Sequence, residues 1–342
     1  MSKNTIAAAQ IGVGYWGPNL LRNLMESPQF QVDKVVDLSP ERKSFVASLY
    51  PGMEVTKDSE EVFSDPTIEA VVIATPVESH FNLSMKALYS GKHILVEKPM
   101  ARTVQEIEQI RAVAEKKNLV AMVGHTFLYN PAVRAVKKII DKGELGDIRY
   151  IYSQRVNLGR IRSDVDALWN LAPHDISIVQ YWLGESTPIS AKRAGMAYVQ
   201  PNIEDVSFLT LEYPGNILVN IHVSWLDPQK VRCMTVVGSK KMVVYDDLAD
   251  EKVVLYDKGI DRMAILGENM DFDHIGANGF NHRSGNIKSA QVKWREPLKM
   301  EIGHFADCIK NGVECLTGAG HASRVVSILE NASVLSIFSK TS

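Results

Sequence analysis

The segment Gly12-Val13-Gly14-Tyr15-Trp16-Gly17 decides how the first part of this sequence folds. Its GxGxxG spacing follows a small apolar stretch at residues 5–13 and precedes a helical pattern at residues 18–27. The first glycine permits a tight turn, the second lets the backbone approach a pyrophosphate, and the third permits close packing of helix on strand. Strand, turn and helix in this order predict a dinucleotide-binding βαβ unit.

An acidic residue stands where such a unit needs one. Asp37 ends the next predicted strand, at residues 30–37, and follows Gly17 by 20 residues. A carboxylate there accepts a hydrogen bond from the ribose 2′-OH and repels a 2′-phosphate, so we expect NAD rather than NADP. The cofactor contacts predicted from this part of the chain are Gly12, Gly14, Tyr15, Trp16, Gly17, Asp37 and Leu38.

The first 124 residues continue the alternation of strand and helix. Buried-type strands are predicted at 69–74, 93–97 and 120–124, with helices at 40–49, 60–64, 80–90 and 104–117. This rhythm predicts an α/β Rossmann domain, a doubly wound parallel sheet, over residues 1–124.

The pattern changes after residue 124. A helix at 131–142 is followed by strand patterns at 148–157, 189–198, 205–213, 217–224, 231–237, 242–245 and 252–256, some joined by turn sequences such as Tyr213-Pro214-Gly215-Asn216. We predict an α+β domain over 125–342 with a large, mainly antiparallel sheet. Residues 259–290 are rich in glycine and polar residues and predict a long loop, and helices at 301–311 and 322–339 close the chain.

Composition excludes several classes of function. The 342 residues are 45% hydrophobic and 23% charged with a formal net charge of −2, so no basic field favours nucleic acid or an anionic membrane. Three scattered cysteines and an N-terminus without a signal-peptide layout predict a cytoplasmic protein with reduced thiols. The nearest approach to a metal-ligand pair is His274 with His282, without matching acids, so no metal site is expected.

Two further motifs follow predicted strands. Ala74-Thr75-Pro76 leads to His80 in an ATPxxxH pattern, and Glu97-Lys98-Pro99 follows the next strand. Both lie at carboxyl ends of parallel strands, where open α/β sheets bind ligands. Together with GxGxxG, this set resembles the Gfo/Idh/MocA oxidoreductases over nearly the whole chain. The resemblance adds five expected cofactor contacts, which are Thr75, Pro76, His80, Glu97 and Lys98, and it implies a Lys98–Pro99 bond in the cis form.

The resemblance also implies the catalytic groups. Lys98 beside the nicotinamide is expected to stabilise alkoxide character on the reacting oxygen and to exchange a proton with it. His174 matches the histidine that serves as acid or base at the substrate hydroxyl in similar enzymes. Where those enzymes carry an aspartate on the same helix face, this chain has Asn170, which can position a hydroxyl but cannot take a proton. Asp175 projects about 100° away around the helix and is a poor replacement.

The expected function is NAD-dependent hydride transfer to or from a ring secondary alcohol of a sugar. The chain resembles the branch that acts on nucleotide-linked sugars, and Arg155, Arg160 and Arg162 are suited to bind a diphosphate. Together these features suggest a UDP-sugar that reacts at C3. A dehydrogenase of free sugars or inositol and a non-catalytic nucleotide-binding sensor remain alternatives. A homodimer or homotetramer through the second-domain sheet is implied. The expected substrate contacts are Tyr129, Asn130, Arg155, Asn157, Arg160, Trp169 and Asn170.

Overall fold

The computed structural model describes residues 5–262 and 280–334 of the chain. Within these ranges the chain groups into two units. The first unit contains residues 5–130, 176–180 and 295–331, and the second contains the remainder of the described residues. The helices, in chain order, are α1 (Gly17–Glu26), α2 (Pro40–Leu49), α3 (Glu60–Phe63), α4 (Val77–Tyr89), α5 (Val104–Lys117), α6 (Pro131–Asp141), α7 (Ala167–Trp182), α8 (Pro297–Asn311) and α9 (Ala319–Asn331).

The first unit is built on a parallel sheet, which has six strands among the described residues. These strands are β1 (Ile6–Ile11), β2 (Phe30–Val36), β3 (Glu54–Thr56), β4 (Ala70–Ile73), β5 (His93–Val96) and β6 (Ala121–Val123). Their order is β3-β2-β1-β4-β5-β6, so the connection reverses direction between β1 and β4. Open α/β sheets bind ligands at such a switch point, outside the carboxyl ends of the strands.

Continuous burial explains why these strands form a central layer. Every residue of β1 and of β4 is buried, as a parallel sheet covered on both faces requires. Helix α1 turns Leu20, Leu21 and Leu24 inward at the i, i+1, i+4 positions of one stripe. The predicted Rossmann architecture is therefore confirmed.

Helices α8 and α9 group with the first unit, although the sequence analysis placed them in the second domain. Leu298, Ile302 and Phe305 lie on one face of α8 and join the core cluster that contains Ile6 and Leu20. Helix α8 also starts earlier than predicted, because Pro297 is compatible with the first turn of a helix. The apolar stripe of this helix completes the core of the Rossmann unit.

The second unit is built on a sheet with nine strands among the described residues, in the order β14-β13-β12-β11-β7-β10-β9-β8-β15. Neighbouring strands are antiparallel except for β7 with β10 and β8 with β15, so the predicted fold class is confirmed. The strands are β7 (Ile148–Leu158), β8 (Ser190–Met196), β9 (Val206–Tyr213), β10 (Ile217–Ser224), β11 (Leu226–Gly238), β12 (Met242–Asp246), β13 (Val253–Arg262), β14 (Phe280–Ser289) and β15 (Ser333–Val334).

The predicted long loop at 259–290 is wrong where the structure describes it. Strand β13 extends to residue 262 and pairs with β14, which begins at residue 280. The polar composition of residues 259–290 predicted a loop, but strands at a sheet edge that face water need few apolar residues. The intervening residues 263–279, which include Asn269, His274 and Asn278, lie outside the described residues. The closing helix predicted over 322–339 is wrong in its bounds, because α9 begins at Ala319 and ends at Asn331 and is followed by β15; residues 335–339 lie outside the described residues.

Alternating burial leaves one face of the second sheet exposed. Ile151, Leu209 and Val219 are fully buried on one face, whereas Tyr150 and Leu218 on the other are 45% and 50% exposed. A sheet covered on one face shows this period of two. None of the helices in the described ranges is long and apolar enough to span a bilayer.

Candidate cofactor and catalytic site

The glycine loop after β1 has the geometry that its sequence predicts. Gly12 has a φ of +94°, and a Cβ there would lie 2.6 Å from the carbonyl oxygen of Ala74. A Cβ on Gly17 would lie 2.7 Å from the carbonyl oxygen of Gly12, so helix α1 packs directly on the turn. By contrast, a Cβ on Gly14 would meet nothing within 4 Å. The loop is therefore closed on its inner side and open at Gly14, where a phosphate could approach.

The N-terminus of α1 faces outward without a side-chain cap. Its N-cap residue, Trp16, makes no capping hydrogen bond, and Tyr15 beside it is 84% exposed. Such a terminus offers backbone N–H groups and the positive end of the helix dipole to an anion.

Gln10 holds this turn together and was missed by the sequence analysis. Its buried side-chain nitrogen donates to the carbonyl oxygens of Gly12 and Gly17, at 2.9 and 2.8 Å. The available signal was a single amide side chain in the otherwise apolar strand β1.

Asp37 lies at the end of β2, and backbone donors fix its carboxylate. The N–H of Val13 donates to Oδ2 at 2.7 Å, and the N–H of Ser39 donates to Oδ1 at 2.9 Å. The carboxylate is thus held against the glycine loop and stays partly exposed, while its neighbour Leu38 is 83% exposed. An oriented acid, an open Gly14 and an uncapped helix terminus together fit a nicotinamide dinucleotide.

The loops that follow β4 and β5 are joined by His80. One ring nitrogen of His80 lies 2.8 Å from the carbonyl oxygen of Thr75, and the other lies 2.8 Å from that of Pro99. Burial lowers the pKa of His80, and the hydrogen bonds to the two carbonyls oppose this shift. Pro76 is the N-cap residue of α4. His80 thus holds two site loops together, and its predicted cofactor contact stays a prediction.

The Glu97-Lys98 segment combines a buried carboxylate with the candidate catalytic lysine. The backbone N–H of Lys98 donates to Glu97 Oε2 at 3.1 Å, and the Lys98–Pro99 bond is cis, as the resemblance implied. Glu97 Oε1 is sealed from solvent, and a Cβ on Gly124 would lie 3.2 Å from it. Burial raises the pKa of Glu97 to about 7, although the charge of Lys98 opposes this shift.

Further buried polar groups of the first unit surround this carboxylate, and sequence analysis missed them. Glu301 on α8 is fully buried and accepts a hydrogen bond from Thr126 Oγ1 at 2.8 Å. Burial, and then the charge of Glu97, raises the pKa of Glu301 well above its ordinary value. The rings of His125 and His321 meet edge-on, with 5.1 Å between their centroids. Burial lowers the pKa of His125 well below its ordinary value, and the charges of His321 and Lys98 add to this shift. Both shifts favour the uncharged forms of Glu301 and His125.

Tyr129 and Asn130, predicted as substrate contacts, are buried within the first unit. Tyr129 is fully buried, and its hydroxyl lies 2.9 Å from Thr317 Oγ1. Asn130 is 1% exposed at the end of a 3₁₀ turn. The ring of Tyr129 joins the core cluster of the first unit, and the substrate contacts of Tyr129 and Asn130 stay predictions.

Arg155, predicted to meet a substrate phosphate, instead forms a buried ion pair in the second unit. Its guanidinium donates from Nε and Nη2 to the two carboxylate oxygens of Asp175, at 2.8 and 3.0 Å. The two side chains are 6% and 2% exposed. Burial lowers the pKa of Arg155, but the charge of Asp175 and its hydrogen bonds outweigh this effect, so the pKa is raised. A buried cation needs a neutralising partner, which Asp175 supplies, and the substrate contact of Arg155 stays a prediction.

The other two arginines of this region differ in their engagement. Arg162 forms a two-pronged ion pair with Asp164, with separations of 2.9 and 2.5 Å, on the surface. Arg160 is exposed, and Asn157 beside it is half-buried. Of the three arginines, Arg160 therefore fits best the role of an anion contact predicted from the sequence.

Helix α7 carries the second candidate catalytic group. His174 is half-buried, and its Nδ1 is shielded from solvent. It follows Pro173, which lies inside the helix. Because proline has no N–H, the carbonyl of Trp169 lacks its usual helical donor. Asn170, one turn earlier, accepts a hydrogen bond from the Trp225 indole at 3.4 Å. The structure thus holds Asn170 by its side chain on the helix face shared with His174.

Comparison with known proteins identifies the family. A model described as "Oxidoreductase family, NAD-binding Rossmann fold" matches residues 6–125, and one described as "GFO/IDH/MocA C-terminal domain" matches residues 133–244. The chain belongs to the Gfo/Idh/MocA family of oxidoreductases. Membership agrees with the glycine loop, the Asp37 carboxylate and the Glu97-Lys98-Pro99 segment described above.

Characterised relatives differ in cofactor and substrate. A scyllo-inositol 2-dehydrogenase (NAD(+)) from Bacillus subtilis is 25% identical over 91% of this chain and 88% of that protein. A scyllo-inositol 2-dehydrogenase (NADP(+)) from the same organism is 28% identical over 59% of this chain and 60% of that protein. The structure of a UDP-N-acetylglucosamine 3-dehydrogenase from Acidithiobacillus ferrooxidans matches with a TM-score of 0.78 at 21% identity, over 96% of each chain, and shows the shared fold.

Proposed function

We propose that this chain is an NAD-dependent dehydrogenase that moves a hydride between nicotinamide and a ring secondary alcohol or ketone of a sugar. The observation that carries the proposal is the placement of Lys98 after β5, beside a carboxylate whose pKa is about 7. Lys98 lies in the same unit as the glycine loop, whose Val13 N–H is bound by the Asp37 carboxylate. A lysine next to a proton acceptor of near-neutral pKa suits reversible proton transfer.

The choice of NAD over NADP rests on Asp37. Its oriented carboxylate would accept the ribose 2′-OH and repel a 2′-phosphate. Gly12, Gly14 and the first turn of α1 would hold the pyrophosphate. NAD, when bound, supplies the hydride acceptor or donor.

The protein groups then manage the proton of the substrate hydroxyl. Lys98 would hydrogen-bond the reacting oxygen and stabilise negative charge on it, while Glu97 would hold or release a proton as Lys98 changes charge. Because burial and the charge of Glu97 raise the pKa of Glu301, a negative charge on both carboxylates at once would be disfavoured. His174 would serve as the acid or base at the same hydroxyl, and Asn170 would orient it.

For the substrate, we propose a nucleotide-linked sugar that reacts at C3. The exposed guanidinium of Arg160 supports this choice, since a free sugar has no charge for it to meet. The fold shared with a UDP-N-acetylglucosamine 3-dehydrogenase is a further support.

A free cyclic polyol such as inositol is the second candidate substrate. Two observations favour it: the inositol dehydrogenases among the relatives, and the engagement of Arg155 and Arg162 by Asp175 and Asp164. With two of the three arginines neutralised, less positive charge remains for a diphosphate.

A substrate panel tests the proposal and separates these candidates. The kcat/KM values for several UDP-sugars are compared with those for myo-inositol, scyllo-inositol and glucose, with NAD and with NADP. The proposal expects the highest value for a UDP-sugar with NAD. A higher value for a free polyol would transfer the function to the inositol class. Tight NAD binding without turnover on any substrate would favour a nucleotide-binding sensor.

Two neighbouring arginines provide a matched pair of variants for this panel. Arg160→Ala is expected to raise KM for the nucleotide sugar and to leave NAD binding unchanged. Arg162→Ala removes a guanidinium already paired with Asp164 and should leave KM nearly unaltered. Equal effects of both changes would argue against a phosphate contact at Arg160.

We also propose a homodimer or homotetramer in the cytoplasm. The exposed sheet face, with Tyr150, Tyr152, Phe208 and Leu218 each between 38% and 50% exposed, is the surface for a second copy. Light scattering of the wild type and of Leu218→Glu tests this assignment, and a wild-type monomer at micromolar concentration would overturn it. Three free thiols suit a reducing compartment.

A further inference from the structure

Three side chains with metal-ligating atoms meet at the end of α8 in the first unit. His304 Nε2, Cys308 Sγ and Cys315 Sγ all lie within 4.8 Å of one another. His304 Nε2 is 3.4 Å from Cys308 Sγ. None of the three belongs to the cofactor loops or to the candidate catalytic residues. We call these three residues the thiol–imidazole cluster.

The helix and its C-cap explain how the chain forms this cluster. His304 and Cys308 are separated by four residues on α8 and therefore lie on the same face. Gly312 ends the helix in the left-handed region with a φ of +62°, which turns the chain back along α8. Cys315 then returns to the face that carries the other two ligands. The N–H of Leu316 donates to His304 Nε2 at 3.0 Å and anchors the returning segment.

The orientation of the His304 ring suits a ligand role. Because His304 Nε2 accepts the N–H of Leu316, this nitrogen carries no proton, and it is the ring nitrogen that lies close to the two sulfur atoms. Cys308 is 5% exposed, whereas Cys315 and His304 are half-buried.

The distances and charges are compatible with tetrahedral coordination. Zinc–sulfur and zinc–nitrogen bonds of about 2.3 and 2.0 Å place tetrahedral donor atoms about 3.5–3.8 Å apart. The observed upper limit of 4.8 Å needs an adjustment of about 1 Å or less, within the reach of rotamer changes. Two thiolates and one neutral imidazole also balance a divalent charge, which makes a buried site electrically neutral.

We propose that the thiol–imidazole cluster binds a thiophilic divalent cation of the Zn²⁺ type, with a solvent molecule as the fourth ligand. On binding, the cation takes the place of the Leu316 N–H at His304 Nε2. The cation joins α8 to the segment whose Thr317 carbonyl accepts the N–H of Val123 in β6. The role of the cation is to stabilise the Rossmann unit. This proposal revises the expectation from the sequence that no metal is bound. The proposal is independent of the substrate.

Cadmium titration of the full-length protein tests the site directly. The reduced chain is freed of metal with EDTA and titrated with Cd²⁺, and thiolate-to-cadmium charge transfer is followed in the ultraviolet. The expected result is one equivalent of Cd²⁺ bound with the absorbance of two thiolates. Cys308→Ser and Cys315→Ser should each lose about half of this absorbance or more. Cys233→Ser is the matched control, since Cys233 lies in the second unit, and should behave as the wild type.

Thermal unfolding provides a second readout that does not depend on activity. Zn²⁺ in excess should raise the Tm of the wild type and of Cys233→Ser by a few degrees, because it binds the folded state alone. It should not raise the Tm of Cys308→Ser or Cys315→Ser. NAD binding by each variant verifies that the Rossmann unit is folded. Absence of the charge-transfer band in the wild type, or an undiminished band in Cys308→Ser, would overturn the proposal.

Discussion

Replacing Asp37 tests the cofactor assignment at the residue on which it depends. In Asp37→Ala, the ribose 2′-OH loses its carboxylate acceptor, and the N–H groups of Val13 and Ser39 lose theirs. A hydrogen bond to a charged group contributes about 1.5–3 kcal/mol. At 1.4 kcal/mol per tenfold change, the affinity for NAD⁺ should fall about 10- to 150-fold. The affinity for NADP⁺ should stay constant or rise, because the repulsion of the 2′-phosphate disappears.

Fluorescence titration with NADH and NADPH measures both affinities in the same preparation. Asp37→Asn is the matched control, since it removes the charge but keeps one acceptor oxygen. Its loss of NADH affinity should be smaller than that of Asp37→Ala, while NADPH binding should improve in both variants. A wild-type protein that binds NADPH as tightly as NADH, or an Asp37→Ala variant with unchanged selectivity, would refute the reasoning.

Three other perturbations probe the catalytic groups, the buried ion pair and the buried carboxylate. Lys98→Ala should lower kcat by about 10²–10⁴ with NAD affinity nearly unchanged, and His174→Ala should lower it with an altered pH profile; near-normal kcat would show a structural role. Asp175→Asn should cost about 3–5 kcal/mol of unfolding free energy in urea, because it leaves a buried guanidinium without its counter-charge. Arg162→Ala, which breaks an exposed pair, should cost about 0–1 kcal/mol, and similar losses would contradict the burial argument. Glu97 holds its proton up to about pH 7 in the folded state but releases it at the ordinary carboxyl pKa in the unfolded state. The unfolding free energy of the wild type should therefore fall relative to that of Glu97→Gln as pH rises from 5 to 7. If urea unfolding gives parallel curves of stability against pH for the two proteins, the raised pKa is excluded.

The candidate site divides into residues that a local pattern reveals and residues that only packing brings together. The glycine loop, Asp37 and Lys98 stand at fixed distances from strand ends, so their spacing predicted their placement. Gln10 and Glu301 have no such spacing. Glu301 reaches the site because α8 buries it against Thr126, which is 175 positions away in sequence. Gln10 contacts the nearby Gly12 and Gly17 only because the folded turn brings both carbonyl oxygens onto its side chain.

Arg155 and Tyr129 show what the sequence does not reveal about the surroundings of a polar side chain. Each resembled a polar contact for a ligand, because sequence position alone does not say which face of a strand or turn is buried. The structure gives Arg155 a buried carboxylate partner and places the Tyr129 ring in the core. Whether a polar side chain is available to a ligand depends on long-range neighbours, which spacing does not encode.

Sequence alone determined the parallel Rossmann sheet, together with the positions of Asp37 and Lys98 at strand ends. These follow from periodicity and from short-range turn chemistry, which act within a few residues of one another. Tertiary structure alone decided that α8 completes the first core, that β13 and β14 pair at a sheet edge, and that Cys315 joins His304 and Cys308. Such contacts form only when burial brings distant segments together, because their free energy comes from apolar area and charge neutralisation across the fold.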